Sequence, residues 1–369
     1  MVSGQVRSGR TAGGRRAGRD DVTDGGTEHA GADGRAPDRV VVVGTGPVAT
    51  AVRAAWDDAR AVDELPEQEP QSALVGADVV VLVAHTGDLA LQAGPSPRDR
   101  QAAAVAQAQH VLAAARAVGV RHVVVVGSAV VHGAAPDRPV VHDRDPLPRS
   151  TDAPRDGLVA ELVAVEAVVA RAARRRTPLV TVLRPAALVG PGVDTFVTRH
   201  FEAPRLLTVR GAVRQWQFVH VDDVASAARF AVEHGLTGAL TVGAIDVLSP
   251  SQVEAAAGMR RVELAPTTAF GTAERLHRVG VLPAPASELA FVVYPWTVAS
   301  DRLLAAGWTP RWSSPECLDV LLEGVQGRVA VAGRRVGSRD AAALGAAGAA
   351  VALIGTAAVW RQARARRHG

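Results

Sequence analysis

Runs of apolar residues that alternate with amphipathic stretches are the dominant pattern of this chain. Four of these runs, at 39–44, 77–84, 121–127 and 179–184, consist mainly of β-branched and aliphatic side chains. Such runs are typical of parallel strands that are covered on both faces. A shorter strand is predicted at 61–63. The predicted helices between the strands include 98–118 and 156–175.

A smaller and less regular region follows, from about residue 190 to residue 325. It contains a predicted strand at 215–220, and Ser249 and Pro250 have the residue types of a helix N-cap and first helical position. Strands and helices that alternate in this way indicate a doubly wound parallel sheet. We therefore predict an α/β Rossmann-type domain at 38–325, with a smaller C-terminal mixed α/β region at about 190–325.

The first 37 residues differ from this body. They are mostly Gly, Arg, Asp and Ala, with almost no large apolar side chains. Such a segment cannot bury enough surface to offset the entropy of ordering, so a disordered arm is expected at 1–37. It also lacks the apolar run of a signal peptide.

The tail at 326–369 combines strong positive charge with one apolar segment. Residues 341–360 carry no charge, and Arg residues stand on both sides. The length suits a single membrane span, but ten Ala and three Gly make insertion only marginally favourable. Two interpretations stay open: a membrane-associated helix, or an Ala-rich helix that packs on the domain or lies loose.

Charge and cysteine content limit the partners of the body. Residues 40–325 hold 26 Arg against 30 acids, so the basic character belongs to the tail and nucleic acid is not expected as a partner. The single cysteine, Cys317, excludes an internal disulfide and fits a reducing compartment. A cytoplasmic location is expected, with anchoring through 341–360 under the first interpretation of the tail. No His or Cys pair has metal-ligand spacing, and no metal site is predicted.

A small-residue motif follows the first strand and opens a helix. Gly44, Gly46 and Ala49 would let the backbone approach a pyrophosphate, and Asp63 at the end of the second strand would bind ribose hydroxyls. Because Asp63 would repel a 2′-phosphate, NAD is the expected cofactor rather than NADP. Glycine turns without a ligand are also common between a strand and a helix.

Six stretches, which span about residues 39–325, resemble segments of the NAD-dependent epimerase/dehydratase family, the extended short-chain dehydrogenases, in the same order. They include ADVVVLVAH, GVRHVVVVGSAVVHG, LRPAALVGPG and QFVHVDDVA. The resemblance implies a nucleotide sugar or similar hydroxylated ligand beside NAD, with oxidation at one carbon and reduction of the resulting ketone. It also implies a homodimer formed through two helices.

The resemblance also assigns roles to single residues. Ala84 and His85 correspond to the segment that passes over the cofactor, and Ser128 to the catalytic serine that hydrogen-bonds the substrate oxygen. Arg184 and Pro185 correspond to the start of a segment that closes over the nicotinamide and the substrate. The remaining matches are Gly190, Pro191 and Gly192 in the same closing segment, and His220, Asp222 and Asp223 at the edge of the substrate region.

The chain departs from the family at the proton-transfer residues. It has no lysine, and its one tyrosine is Tyr294, so a Tyr-x-x-x-Lys pair cannot exist. If Glu166 is aligned with the family's helix glutamate, Leu158 and Leu162 occupy the Tyr and Lys positions. A GC-rich genome accounts for a general replacement of Lys by Arg, but a guanidinium does not release its proton as an ammonium can. Two leucines four residues apart predict a packed apolar helix face.

The segment after the second strand is also short. Only fourteen residues separate Asp63 from Asp78, too few for the helix and third strand that usually lie there.

Other groups are therefore candidates for the acid–base role. His132 and His142 follow Ser128, and a histidine works as a base without a lysine. Asp156 precedes the vacant Tyr position by two residues. Two functions stay open: an NAD-dependent epimerase or reductase with an unconventional acid–base group, or a non-catalytic dinucleotide-binding sensor or scaffold, placed at a membrane if the tail inserts.

Overall fold

The structure is a computed structural model of the chain, and it describes part of the sequence. The described residues are 39–89, 96–148, 154, 156–279, 285–326, 330–331 and 334–335. They belong to one compact unit that begins at Asp38. The predicted arm at 1–37 and the predicted apolar helix at 341–360 lie outside the described residues, so both stay predictions.

A six-stranded parallel sheet forms the centre of the fold and confirms the predicted fold class. Its order is β2-β1-β3-β4-β5-β9, and every neighbouring pair is parallel. The strands are β1 (Val40–Val43), β2 (Arg60–Val62), β3 (Val79–Val83), β4 (His122–Val126), β5 (Leu179–Pro185) and β9 (Gly238–Val242).

Alternate residues of the central strands pack into two separate cores. Val40 and Val42 contact one core, with α1 (Gly46–Ala54) and α5 (Val221–Glu233). Val41 and Val43 contact the other, with α2 (Pro97–Ala117) and α3 (Gly157–Ala172). Because successive strand residues point to opposite faces, the near-continuous valine runs bury both faces of the sheet.

The edge at β2 explains the short spacing that the sequence shows after Asp63. A single 3₁₀ turn, Pro70–Leu74, connects β2 to β3, and β2 is the last strand on its side. The chain therefore adds strands on opposite sides of β1, first β2 and then β3. In open α/β sheets, ligands bind outside the carboxyl ends of the strands at such a switch point.

The C-terminal region is mixed, as predicted. Two small parallel pairs join β6 (Ala187–Val189) to β8 (Phe218–His220) and β7 (Leu206–Val209) to β10 (Arg261–Leu264). Its helices are α4 (Phe196–His200), α6 (Pro250–Ala257), α7 (Pro266–Arg278), α8 (Ala286–Val293), α9 (Asp301–Ala305) and α10 (Ser314–Val325). A short antiparallel pair follows, β11 (Ala330–Val331) with β12 (Arg334–Arg335).

Two local features of this region bear on the sequence predictions. Ser249 caps α6 in a capping box and Pro250 is its first residue, as the residue types predict. The strand predicted at 215–220 begins only at Phe218, because Trp216 forms an isolated bridge with Leu248. In the described part of the chain, no helix is long and apolar enough to cross a bilayer.

Candidate functional site

The turn between β1 and α1 contains both glycines of the predicted motif. Gly44 has φ +127° and Gly46 has φ +88°, values that residues with a Cβ rarely adopt. A Cβ on Gly44 would lie 3.0 Å from the Cβ of Val83, so this glycine also lets β1 and β3 lie side by side. Ala49 is buried behind the turn. The three motif residues are therefore together at the carboxyl end of β1.

The first turn of α1 offers few hydrogen-bond donors to a phosphate. Helix N-termini bind phosphate through free backbone amides. Pro47 has no N–H, and the N–H of Val48 donates to the Thr86 carbonyl at 3.3 Å. Of the first three helical residues, only Gly46 can offer a free amide. This cradle has fewer donors than the glycine pattern alone predicts.

Asp63 lies beside the glycine turn. It is exposed just after β2, and the neighbouring Val62 carbonyl accepts the N–H of Gly44 at 2.9 Å. An acid at the end of the second strand is the residue that would bind the adenosine ribose of a dinucleotide, and this role of Asp63 stays a prediction. The turn and the acid fit the adenosine half of such a cofactor, while the phosphate cradle fits it less well.

Ala84 and His85 follow β3 and are held against β4. Both amides donate to the Val126 carbonyl, at 2.9 and 3.0 Å. His85 is buried, its Nδ1 has no hydrogen-bond partner among the described residues, and burial lowers its pKa to about 4. It is a neutral imidazole at pH 7, which can hydrogen-bond a ligand without carrying charge.

The loop after β3 is tied to the segment at 190–194. The N–H of Leu89 donates to the Asp194 carbonyl, and the N–H of Asp194 donates to the Gly87 carbonyl, each at 2.7 Å. Arg199 holds the Asp194 carboxylate through two contacts of 2.8 Å. The segment that the resemblance assigns to closing over nicotinamide is therefore fixed to the loop after β3.

Ser128 follows the end of β4 by two residues and caps the short 3₁₀ turn Ala129–His132. Its Oγ donates to the Pro185 carbonyl and accepts the N–H of Val130, each at 3.4 Å. Both hydrogen bonds are long, so a substrate oxygen could replace them at small cost. Ser128 and Pro185 are thus in contact, and the catalytic role that the resemblance gives to Ser128 stays a prediction.

Arg184 is held in an internal cluster with Glu166 and His132. Its Nε and Nη2 donate to both Glu166 oxygens at 2.6 to 3.2 Å, and its Nη1 donates to His132 Nε2 at 3.1 Å. All three side chains are buried. Burial, with Arg184 beside it, lowers the pKa of His132 to about 4. A cofactor contact from Arg184 would have to come from its backbone, and a catalytic role for His132 stays a prediction.

The other predicted acid–base positions are apolar or lie at the surface. Leu162 is buried in the core and Leu158 is half-buried. Asp156 stands at the N-cap of α3 without a side-chain cap hydrogen bond. His142 is exposed, and its Nδ1 lies 2.6 Å from Oδ2 of Asp301. This hydrogen bond raises the pKa of His142.

A cavity of about 40 Å³ lies at the carboxyl end of β4. His85, Ser128, Thr195 and Glu288 are its polar lining, and the rest of the wall is aliphatic or aromatic and includes Leu158. The volume holds a few water-sized groups. A mostly apolar wall with few convergent polar groups is typical of small-molecule sites, but this volume fits a reacting fragment rather than a whole ligand.

Glu288 is the residue of this cavity that sequence reasoning missed. It is 4% exposed. Its Oε1 accepts the N–H of Leu158 at 2.7 Å, and its Oε2 has no hydrogen-bond partner among the described residues. Burial raises its pKa to about 7, against the opposing effect of the Leu158 N–H. The available signal is that Glu288 is the only charged residue in the apolar run 286–293.

The segment at 220–223, which the resemblance places at the edge of the substrate region, connects the start of α5 to the residues before α10. His220 Nδ1 accepts the N–H of Asp222 at 3.2 Å, and its ring stacks on Trp312 with centroids 4.3 Å apart. The buried Asp223 carboxylate accepts the N–H groups of Arg311 and Trp312 at 2.8 and 3.0 Å. These residues fix the start of α5 to the segment before α10.

A second cavity of about 150 Å³ lies beside β7 and β10. Arg214 and Arg261 line it together with Glu254 and Glu263, so its charges balance. Arg214 stacks over Trp216 at 4.2 Å, and burial lowers its pKa to about 9. In the described residues, no group of three or more His, Cys, Asp or Glu side chains could hold a metal ion.

Curated relatives match part of the chain. Uncharacterized proteins of Mycobacterium tuberculosis and Mycobacterium bovis are 29% identical over 217 residues, which is 57% of this chain and 56% of theirs. A 3-diazoavenalumate denitrifying reductase of Streptomyces is 36% identical over 137 residues, 36% of this chain and 44% of the reductase. The chain therefore spans about half the length of these relatives.

Solved structures share the fold at low identity. MoeE5, in complex with UDP-glucuronic acid and NAD, is 20% identical with a TM-score of 0.56, covering 78% of this chain and 99% of its own. UDP-N-acetylglucosamine 4-epimerase from Bacillus cereus is 12% identical with a TM-score of 0.53, covering 79% and 100%. At these identities the likeness shows the fold.

The family model described as the NAD dependent epimerase/dehydratase family matches residues 28–243, more than half of the chain. The match includes the glycine turn, Asp63, Ser128 and the segment at His220, and it confirms the resemblance that the motifs indicate. The chain belongs to the NAD dependent epimerase/dehydratase family.

Proposed function

We propose that the protein is a nicotinamide-dinucleotide-dependent oxidoreductase or epimerase, with the dinucleotide across the carboxyl ends of β1 and β3. The cavity beside Ser128 carries this proposal. It lies at the carboxyl end of the sheet near the switch point, and it brings His85 and Ser128 to one small, mostly apolar space. The reacting carbon of the substrate would occupy this space.

The glycine turn and Asp63 support the choice of cofactor. Gly44 and Gly46 would admit the backbone close to the pyrophosphate, and Asp63 would bind the ribose and disfavour a 2′-phosphate. NAD is therefore proposed over NADP. MoeE5 and a dTDP-glucose 4,6-dehydratase of Bacillus anthracis, solved with NAD, have the same fold. When bound, the dinucleotide would supply the hydride acceptor or donor.

The side chains of the cavity would hold and polarise the substrate oxygen. Ser128 Oγ would hydrogen-bond this oxygen in place of its long contact to Pro185, and neutral His85 would offer a second polar contact. The apolar wall, with Leu158, would exclude water from the reacting carbon. Leu158 and Leu162 cannot exchange a proton, so the Tyr and Lys of the usual relay have no counterpart on α3.

The substrate is proposed to be a nucleotide sugar or a similar hydroxylated compound. Several proteins of this fold are solved with such ligands, among them MoeE5 with UDP-glucose. The larger cavity beside β7 and β10 could take part of an extended ligand, although its balanced charges give no strong preference for a diphosphate. The apolar wall at Ser128 favours a reacting fragment with few hydroxyl groups.

Calorimetry with the full-length chain tests the cofactor proposal first. Titration with NAD and NADP is expected to give binding, with NAD bound more tightly. UDP-glucose, UDP-galactose and 1-phenylethanol are then tested as probes for nicotinamide reduction. Ser128→Ala should lower any turnover while dinucleotide affinity stays unchanged, and Ser287→Ala on α8 serves as a control serine outside the cavity lining. No binding of either dinucleotide would refute the proposal.

A non-catalytic dinucleotide-binding sensor or scaffold is the second candidate. The apolar residues at 158 and 162 favour it, because they remove the usual relay. The sparse donors at the start of α1 favour weak and readily reversible dinucleotide binding, which suits a sensor. Binding of NAD without turnover of any probe would support this candidate over the first.

A further inference from the structure

Glu288 is the one carboxyl group that lines the cavity beside Ser128. It comes from α8 in the C-terminal region and reaches α3, where its Oε1 accepts the N–H of Leu158 at 2.7 Å. Leu158 is the residue aligned with the missing tyrosine. The Glu288 carboxyl group therefore accepts a hydrogen bond from the backbone of residue 158, the position at which the family has its catalytic tyrosine.

The second oxygen of this carboxyl group is buried without a partner. Oε2 has no hydrogen bond among the described residues, in a side chain that is 4% exposed. A buried polar atom without a partner is rare in native structures and calls for an explanation such as a ligand or a catalytic role. Glu288 lines the cavity, and we expect a ligand hydroxyl there to become the partner of the unpaired oxygen.

The backbone at Gly157 is shaped to admit this carboxyl group. Gly157 has φ +81°, and a Cβ there would lie 2.3 Å from Glu288 Oε1 and 3.0 Å from the Cγ of Pro285. A side chain at residue 157 would displace the carboxyl group from the Leu158 amide. Glycine at this position thus permits the approach of α8 to α3.

The surroundings of Glu288 favour gain and loss of its carboxyl proton near neutral pH. Burial raises its pKa to about 7, and the Leu158 N–H opposes this effect. The charged groups that act on it among the described residues are Glu161 on α3 and Asp156 at the N-cap of α3, which raise its pKa, and Arg100 on α2, which lowers it. Arg100 is itself paired with Glu161 at 2.9 Å. General acids and bases work best when their pKa is close to the operating pH.

We propose that Glu288 is the acid–base catalyst of this protein and takes the place of the missing Tyr-x-x-x-Lys pair. The inference rests on the proposed function. In the oxidative direction, the substrate O–H bond would break and its proton would go to the Glu288 carboxylate, which would become neutral. The oxidised dinucleotide, when bound, would supply the acceptor for the hydride released from the C–H bond, so that a ketone and the reduced dinucleotide would result. Reduction reverses each step, with the Glu288 proton returning to the carbonyl oxygen.

Neither histidine of the site region fills this role as well. His132 Nε2 already accepts a hydrogen bond from Arg184, and its ring is completely buried. His85 lines the cavity, but burial lowers its pKa to about 4, so it would be a weak base at neutral pH. Glu288 combines an unused oxygen, a place in the cavity and a usable affinity for a proton.

Proton release on dinucleotide binding tests the proposal without a known substrate. The positive charge of oxidised NAD beside the cavity would stabilise the Glu288 carboxylate, so binding at pH 7 should release up to about half a proton. The uncharged reduced nicotinamide should release much less. Calorimetry of the full chain with NAD and NADH, in two buffers of different ionisation enthalpy, counts the protons. Glu288→Gln, which keeps the shape and an acceptor for the Leu158 amide, should abolish the difference between NAD and NADH.

Two further measurements separate the possible failures. A carboxyl titration followed by infrared spectroscopy in the unliganded chain should show one buried group with a midpoint near pH 7, absent in Glu288→Gln. Glu161→Gln removes a like charge outside the cavity lining and should lower that midpoint, with the group still present. The thermal midpoint and far-ultraviolet circular dichroism check that each variant is folded.

Each outcome decides one of the two proposals. If neither NAD nor NADP binds the wild-type chain, the proposed function fails and the catalytic role of Glu288 fails with it, whatever the titration shows. If NAD binds and the proton release is equal in wild type and Glu288→Gln, the role of Glu288 is refuted while the proposed function stands. Release confined to the wild type supports both. With any substrate found later, Glu288→Gln should lower turnover by about 10²-fold or more.

Discussion

The burial of Glu288 predicts a measurable dependence of stability on pH. A carboxyl group whose pKa is raised by folding binds its proton more tightly in the native state than in the unfolded chain. Its contribution to stability is therefore fully present below the unfolded pKa and is lost as the pH rises through the folded pKa. For Glu288 the pKa rises from 4.5 to about 7, which places the loss between pH 4.5 and 7.

The shift sets the size of the effect. One pKa unit corresponds to about 1.4 kcal/mol, so a rise from 4.5 to about 7 corresponds to about 3 kcal/mol of unfolding free energy. Solvent screening reduces this value little, because the side chain is 4% exposed. Glu288→Gln cannot ionise and keeps the hydrogen bond to Leu158. The variant should therefore become more stable relative to wild type, by about 3 kcal/mol, as the pH rises from 4.5 to 8.

Urea denaturation of both chains at half-unit pH steps measures this difference directly. Other titrating groups are common to both proteins, so their effects cancel in the difference between the two profiles. Glu274→Gln is the matched control for the substitution itself, because Glu274 is half-exposed on α7 in an i,i+4 pair with Arg278, and solvent screens such a pair. Parallel stability profiles for wild type and Glu288→Gln would refute the reasoning from burial.

Three further predictions concern other parts of the site. Glu166→Ala leaves the buried Arg184 without its carboxylate and should lower the unfolding free energy by about 3 to 5 kcal/mol in urea titrations. Gly157→Ala places a Cβ against Glu288 at a positive φ; we expect a loss of about 1 to 3 kcal/mol and loss of the NAD-linked proton release in calorimetry. Asp63→Asn should weaken NAD binding and reduce the preference over NADP, with an unchanged thermal midpoint because the side chain is exposed. If the Asp63→Asn variant preferred NAD over NADP more strongly than the wild type does, Asp63 would not be a ribose-binding residue.

The sheet was predictable because local pattern and tertiary environment agree there. The runs at 39–44, 77–84, 121–127 and 179–184 each contain a core of aliphatic residues, and the structure buries both faces of the strands that these residues form. Only fourteen residues separate Asp63 from Asp78. A segment of this length cannot hold both a helix and a further strand, so the sequence excluded that strand. These properties are encoded within short windows of sequence.

The partners of the site residues were not predictable in the same way. Arg184 and Glu166 belong to different elements, and no local pattern indicates that they meet and bind His132. A resemblance carries over the position of a residue but not the direction of its side chain. Val48 shows a related limit, because the sequence shows that Pro47 has no N–H but does not show that the N–H of Val48 donates to the Thr86 carbonyl.

Glu288 illustrates why an acid–base group can escape a search by family motif. A motif search examines α3, where the family places its relay, and finds only Leu158 and Leu162. The structure brings a carboxyl group to the same backbone position from α8, some 130 residues later in the chain. That approach depends on Gly157, on the apolar run around Glu288 that buries α8, and on the Leu158 N–H that holds one carboxyl oxygen. Loss of a catalytic pair at its usual positions is therefore not sufficient evidence for loss of catalysis, because a proton-transfer group is defined by the cavity it enters rather than by the helix that carries it.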